Sequence, residues 1–243
     1  MTRDIMTVSR KMRQVWVRAG LGSGIALVVL LTSVGCRTES RTWLDSFPVD
    51  KAKLASTGRN AFFILQPGSQ SRYRAGDITL TITVLDSIKL VDGVEARVIE
   101  EREEQNAQPI EVSRNYFAID SGTNDVYYFG EDVDIYSNGQ VVGHEGAWLS
   151  GLQGARFGLA LPGSPDLGDR YYQEVAPNVA MDRAEIVATN ETVETPAGTF
   201  MNCLHIKETT PLGNDVSHKW YAPNVGLVRD DEFVLVEVVT PQP

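Results

Sequence analysis

Strict alternation of apolar and polar side chains is the feature that most constrains the fold of this chain. Between Ile78 and Val84 every second residue is apolar, and threonines occupy the positions between them. A period of two puts the apolar side chains on one face of an extended strand. Residues 94–98 alternate in the same way after Asp92-Gly93, a dipeptide typical of tight hairpin turns. Residues 78–98 are therefore predicted to form an antiparallel β-hairpin.

Similar patterns continue to the end of the chain. Further strands are predicted at 112–119, 126–129, 134–136, 140–142, 170–175, 184–192, 199–208, 216–221 and 233–239. The stretch from Gly151 to Gly168 is rich in glycine and proline and is predicted to be a long irregular connection, a candidate lid. About ten antiparallel strands in a meander must curl to protect their edges. The predicted fold class is all-β, with a strongly curved half-barrel or barrel-like sheet.

The N-terminal segment has the composition of an export signal. Residues 1–20 carry five basic side chains and one acidic side chain, and residues 21–32 are almost wholly apolar or small. This apolar run is shorter than the about 20 residues that a helix needs to span a bilayer. A basic start, a short apolar run and small residues after it indicate a signal peptide. We therefore predict a signal peptide at 1–35, a flexible tether at 36–60 and a single β domain at 61–243.

Ser33-Val34-Gly35-Cys36 resembles the lipobox of bacterial lipoproteins. The resemblance implies cleavage between Gly35 and Cys36 and attachment of lipid to Cys36, so that the membrane is a partner through this lipid. Two or more acyl chains would hold the protein stably on a bilayer. Arg37 follows, rather than the aspartate that resembles an inner-membrane retention signal, which favours the outer membrane in a cell with two membranes. An ordinary secretory signal with a chance cysteine, or an uncleaved anchor, is the alternative.

Charge and cysteine content exclude some functions. Without residues 1–35, which carry five of the 22 basic and one of the 32 acidic side chains, the formal charge is −14. Nucleic-acid binding requires clustered positive charge, so no nucleic-acid partner is predicted. If Cys36 is lipidated, Cys203 has no disulfide partner. Cys203 is then predicted to be a small buried hydrophobic residue rather than a reactive thiol.

The C-terminal half carries recognisable motifs. Residues 195–200, 202–204 and 219–228 read TPAGTF, NCL and KWYAPNVGLV. They resemble a widespread group of bacterial secreted proteins and lipoproteins with the pattern P-x-G-x-F…C-L…Y-A-P-x-V-G-L-V. Residues 126–132 and 146–148 resemble further segments of this group, so that the similarity covers most of 61–239. The resemblance implies no activity, and the motifs themselves are interpreted as turns that set strand register. A looser analogy links the strand pattern to curved envelope barrels that hold acyl chains.

No catalytic residue, metal ligand set or cofactor is predicted. His144, His205 and His218 are widely spaced, and His144-Glu145 begins like a zinc-protease HExxH motif but has Trp148 where the second histidine belongs. Asp132 begins like a calcium loop without the later ligands. Acidic runs such as residues 100–104 are interpreted as solvated loop faces. A metal site built from distant histidines and a calcium loop are kept as minor alternatives.

Aromatic side chains supply the candidate ligand pocket. Tyrosine and tryptophan combine a large apolar area with a polar tip, and on neighbouring strands some would line a concave face while most pack the core. The candidates are Tyr127, Tyr128, Trp148, Tyr171, Tyr172, Trp220 and Tyr221. The main hypothesis is an exported, lipid-anchored, non-catalytic protein of the cell envelope that binds an apolar or amphiphilic ligand. The alternatives are a structural or interaction module for an envelope protein and, least favoured, a hydrolase with dispersed acidic residues.

Overall fold

A computed structural model describes residues 42–239 and confirms the antiparallel all-β prediction. Cys36 and the predicted signal peptide lie outside the described residues. A single turn of 3₁₀ helix, Lys51–Lys53, precedes the strands, and the side chain of Asp50 caps it. In chain order the strands are β1 Leu54–Ala55, β2 Gln70–Ala75, β3 Ile78–Val91, β4 Val94–Gln105, β5 Gln108–Asp120, β6 Val126–Ser137, β7 Gln140–Gly143, β8 Trp148–Leu149, β9 Arg156–Leu161, β10 Arg170–Tyr172, β11 Glu174–Val175, β12 Arg183–Thr195, β13 Gly198–Thr209, β14 Val216–Ala222, β15 Gly226–Asp230 and β16 Phe233–Val239. Across residues 42–239, no helix has the length and apolar character needed to cross a bilayer.

The strands form one sheet that closes almost completely into a barrel. The order is β10-β12-β13-β14-β15-β16-β2-β3-β4-β5-β6-β9-β11, and every pairing along it is antiparallel. The two strands at its ends, β10 and β11, are separated in sequence only by Gln173. The ends of the sheet therefore meet at one short segment of chain, which leaves few unpaired edges.

Tight turns connect the long strands as their sequences require. Asp92 and Gly93 both have positive φ, 51° and 78°, in the turn between β3 and β4. Asn138 and Gly139 have the same property, φ 50° and 76°, between β6 and β7. Asparagine, aspartate and glycine are the residues that tolerate this conformation, so both predicted hairpins form where the dipeptides place them.

The prediction of a long irregular connection from Gly151 to Gly168 is wrong for residues 156–161, which form β9. This strand pairs with β6 on one side and with β11 on the other, and it buries Leu159 and Leu161. This strand was not predicted because the stretch is rich in glycine, and Gly158 lies within the strand itself. A Cβ added at Gly158 would approach the carbonyl oxygen of Gln173 to 2.4 Å. A close approach of two backbones, rather than a loop, accounts for that glycine.

The later part of the predicted tether lies against the barrel. Leu44 forms a parallel bridge with Tyr171, and β1 pairs with the end of β5. Phe47 and Val49 pack on the largest hydrophobic cluster, which joins β4, β5, β6 and β9 to β12, β13 and β14. Residues 42–55 are thus part of the packed structure.

Candidate ligand-binding site

The strands of the barrel line a partly open cavity of about 990 Å³. This volume is at the upper end of the range of about 300–1,000 Å³ typical of small-molecule sites. Its walls come from β2 to β6, β9, β11 and β13 to β16, and residues 62–64 of the N-terminal segment contribute to it. The cavity is therefore a property of the closed sheet and not of one loop.

One end of the cavity is apolar. Val84, Ile99 and Phe117 face it from β3, β4 and β5, where register places Val84 opposite Ile99. Phe117 stacks on Tyr128 with ring centroids 4.7 Å apart, and Phe63 packs on Phe117 at 5.0 Å. We call these five residues the apolar end.

A buried asparagine holds the N-terminal segment over the apolar end. Asn60, only 3% exposed, donates from Nδ2 to the carbonyl oxygens of Pro162 at 2.8 Å and Asn124 at 3.0 Å. Its Oδ1 accepts a hydrogen bond of 2.7 Å from the backbone N–H of Phe62. These bonds fix the segment that carries Phe63 against the wall of the barrel.

The other end of the cavity is lined by carboxylates. Glu101 and Glu103 of β4, Glu111 of β5, Glu208 of β13 and Asp230 of β15 all line it. Glu103, Glu208 and Asp230 are buried, with exposures of 5 to 7%. We call these five residues the acidic end.

Strand register explains why the polarity changes along the barrel axis. On β4 the inward positions are Ile99, Glu101 and Glu103 in order, and Glu103 lies opposite Glu111 just before the turn into β5. The turns between β2 and β3, between β13 and β14, and between β15 and β16 are at the same end of the sheet by register. The carboxylates therefore gather at the end of the barrel that these turns form, and the apolar residues lie deeper.

One lysine lies among the carboxylates. Lys219 Nζ is 2.6 Å from Glu208 Oε2, and Ser217 Oγ donates to the same oxygen at 3.2 Å. Gln173 Nε2 donates to Glu208 Oε1 at 3.0 Å. Glu208 is thus fully engaged by its neighbours, as a buried carboxylate requires.

Tyr128 marks the boundary between the two ends. Its hydroxyl donates to Asn115 Oδ1 at 2.6 Å, and its ring belongs to the apolar end. Burial raises the pKa of Tyr128 well above its usual value, and the negative charges of Glu131, Glu174 and Glu101 raise it further. The phenol is therefore neutral at physiological pH and acts as a fixed hydrogen-bond donor.

The seven aromatic residues predicted to form a pocket are dispersed by the fold. Tyr128 and Tyr221 line the cavity. Trp148 packs edge-on behind Tyr128, and Tyr127 contacts Phe47 and Phe157. The remaining three lie at other sites, with Tyr171 buried in the largest cluster, Tyr172 beside Trp43 and Trp220 stacked on His205.

Interpreting residues 100–104 as a solvated loop was wrong, because they lie within β4 and Glu101 and Glu103 point into the cavity. A signal for this was present in the sequence. Ile99, Glu101 and Glu103 continue one face of the alternating pattern, so their side chains share the face that buries Ile99.

The fold brings two of the three histidines together. His205 and His218, on the paired strands β13 and β14, contact each other, while His144 lies elsewhere, with Nδ1 2.7 Å from the carbonyl oxygen of Val133. Within residues 42–239, no group of three or more His, Cys, Asp or Glu side chains is arranged to hold a metal ion.

Comparison with known proteins places similarity in the C-terminal part. Residues 176–234 match the DUF3108-like family, a segment that holds the motifs at 195–200, 202–204 and 219–228 but covers less than half of the chain. The segments 126–132 and 146–148 lie outside the match. The chain matches no curated protein.

A candidate lipoprotein from Parabacteroides distasonis, known from a crystal structure, is 14% identical to the chain. The alignment covers 75% of this chain and 100% of that protein, with a TM-score of 0.37. Similarity at this level carries no argument about ligand or activity.

Proposed function

We propose that this protein is an exported, lipid-anchored protein of the cell envelope that binds an amphiphilic ligand in its barrel. The observation that carries the proposal is the cavity of about 990 Å³ with an apolar end and a charged end. A cavity with this division matches a molecule that has an apolar body and a polar group. The lipobox at Cys36 and the export signal before it support a position at a membrane, where amphiphiles are abundant.

Native mass spectrometry of the protein purified from its host's membranes tests ligand binding. We expect an additional mass on the native chain that is lost when the cavity is filled by Ser113→Phe, because Ser113 is a buried residue of the cavity wall. Ser87→Phe, at an exposed position on the same sheet, is the matched control and should keep the bound mass. A native chain without any bound molecule would contradict the proposal.

The anchor needs its own experiment. Cys36→Ser should move the protein from the membrane fraction to the aqueous phase of a detergent partition, because acyl chains hold it only through that sulfur. A serine variant that still enters the detergent phase would show that another segment anchors the chain.

A second candidate function is a protein-interaction module, and β7 favours it. Among the described strands β7 pairs only with β6, and Val141 and Val142 on it are 44% and 63% exposed. An open strand edge with exposed apolar side chains can accept a strand from another protein. Replacing both valines with lysine should abolish capture of an envelope partner without changing ligand binding.

A further inference from the structure

We propose that the cavity selects amphiphiles whose polar group carries a positive charge, such as an alkylamine. This inference rests on the proposed function of amphiphile binding and names the class of ligand. It follows from the sign of the charge that lines the acidic end and from the position of that end relative to the apolar end.

The lining charge is strongly one-sided. Carboxylates reach the cavity from many segments, among them Glu101 and Glu103 from β4, Glu111 from β5, Glu131 from β6, Glu174 from β11, Asp182 before β12, Glu208 from β13 and Asp230 from β15. Among the described residues that line the cavity, Lys219 is the one cationic side chain, and its Nζ lies 2.6 Å from Glu208 Oε2. Low-dielectric walls focus the field of these groups inside the cavity, so that a cation is favoured there and an anion is repelled.

Position along the barrel sets the orientation of the ligand. On β4 Ile99, Glu101 and Glu103 follow one another at intervals of two positions, which corresponds to a rise of about 7 Å per interval. An extended ligand with its alkyl chain against Ile99 and Phe117 therefore has its polar group beside Glu101 or Glu103. The acidic end lies toward the barrel turns, so the charged group points toward those turns.

The chemistry of the walls favours an organic cation over two other kinds of ligand, a fatty acid and a bare metal ion. A fatty acid would bring its carboxylate beside Glu103 and Glu111, which already face each other across β4 and β5, and like charges at such positions repel. A bare metal ion would make no use of the apolar end, and the described acids include no cluster arranged for a metal. An ammonium group on an alkyl chain uses both ends.

Displacement of a fluorescent probe tests the proposal on the full-length chain in amphipol, with empty amphipol as the blank. N-phenylnaphthylamine, which is uncharged, is the probe, and decylamine, decanol and decanoate are competitors with equal alkyl chains. We expect decylamine to displace the probe at a concentration at least about tenfold lower than decanol, and decanoate to be the weakest.

Two charge-removing variants and one control identify the responsible groups. Glu101→Gln and, independently, Glu111→Gln should each reduce the advantage of decylamine over decanol by about threefold or more, with circular dichroism confirming the fold. Glu95→Gln, on the exposed part of β4, should leave the advantage unchanged. If one of the two glutamine variants does not fold, the test rests on the other glutamine variant.

The outcomes distinguish this inference from the proposed function. Equal displacement by decylamine and decanol, or an advantage that both glutamine variants retain, would overturn selection by charge while amphiphile binding stands. Failure of the probe and of all three competitors to bind would overturn both.

Discussion

His205 Nε2 lies 2.8 Å from His218 Nδ1 across the paired strands β13 and β14. On its other side His205 Nδ1 is 3.1 Å from Glu191 Oε1, and Trp220 Nε1 donates to Glu191 Oε2 at 2.6 Å. At 2.8 Å only one proton fits between the two rings. Glu191, His205 and His218 therefore form a hydrogen-bonded row that accommodates one imidazolium but not two.

This row predicts loss of stability in mild acid. Burial lowers the pKa of His218 below its usual value of 6.5, and the neighbouring His205 and Lys207 lower it further, against the opposing charges of Asp231 and Glu191. The unfolded chain then binds a proton more readily than the folded chain does. The contribution of His218 to the free energy of unfolding is present above about pH 6.5 and is lost as the pH falls toward the lowered pKa. Urea unfolding at pH 7.5 and pH 5.5 measures it.

Histidine variants isolate this contribution. His218→Gln should flatten the dependence of the unfolding free energy on pH, because glutamine does not titrate. His144→Gln is the matched control, since the His144 side chain is 68% exposed, and it should retain the wild-type dependence. If both variants behave alike, the histidine pair is not the source.

The buried side chain of Arg97 connects β4 to the N-terminal segment, so replacing it should lower the free energy of unfolding. This side chain is 6% exposed and donates to the carbonyl oxygens of Ser56 and Asp86, both at 2.8 Å, and to Thr57 Oγ1 at 2.7 Å. Lysine cannot reproduce the planar fork of the guanidinium, so Arg97→Lys leaves buried acceptors unsatisfied. We expect a loss of about 2–4 kcal/mol in the free energy of unfolding, measured by urea denaturation.

Arg102, a partly exposed neighbour on the same strand, supplies the control for that prediction. Its nearest carboxylate oxygens, on Glu100 and Glu104, are 3.9 Å away. Arg102→Lys should change the free energy of unfolding by less than about 1 kcal/mol. A similar loss in both variants would mean that the buried hydrogen bonds of Arg97 contribute little.

Gly130 on β6 lies against β8, and its substitution tests whether this contact requires a residue without a side chain. Its φ is 143°, and a Cβ added there would lie 2.5 Å from the carbonyl oxygen of Trp148. Gly130→Ala should therefore force β8 away from β6 and destabilise the fold by about 3 kcal/mol or more. Gly154→Ala also has positive φ but meets nothing within 4 Å, and it should cost about 1 kcal/mol. Equal melting temperatures for the two variants would contradict this.

The strands were predictable where alternation matched burial. Ile78 to Val84 gave β3 because its inward face is apolar, and Asp92-Gly93 gave the following turn. On β4 the inward face changes from Ile99 to Glu101 and Glu103. A period of two shows which side chains share a face of the strand. The prediction then assumed that the apolar face points into the interior. This assumption fails where the interior is charged.

The exact register between strands was the part that sequence could not supply. The pairing of His205 with His218 depends on the register of β13 and β14, and the connection between them, residues 210–215, carries turn residues but is too long for its sequence alone to fix this register. β2 was missed because four of its six residues are polar, yet Tyr73 on it is 2% exposed. Only the closed sheet shows that these polar strands enclose a cavity.

The number of thiols that react with a labelling reagent tests both the burial of Cys203 and the lipidation of Cys36. Cys203 is fully buried, burial raises the pKa of its thiol, and Sγ lies 3.4 Å from the carbonyl oxygen of Phe200. A protonated, inaccessible thiol reacts slowly, so the folded protein from its host's membranes should take up no iodoacetamide within minutes.

The chain has two cysteines, and lipid on Cys36 would block one of them. Mass spectrometry after labelling in denaturant should therefore find one label. Two labels would show that Cys36 is a free thiol, and a label on the folded chain at Cys203 would show that β13 opens locally.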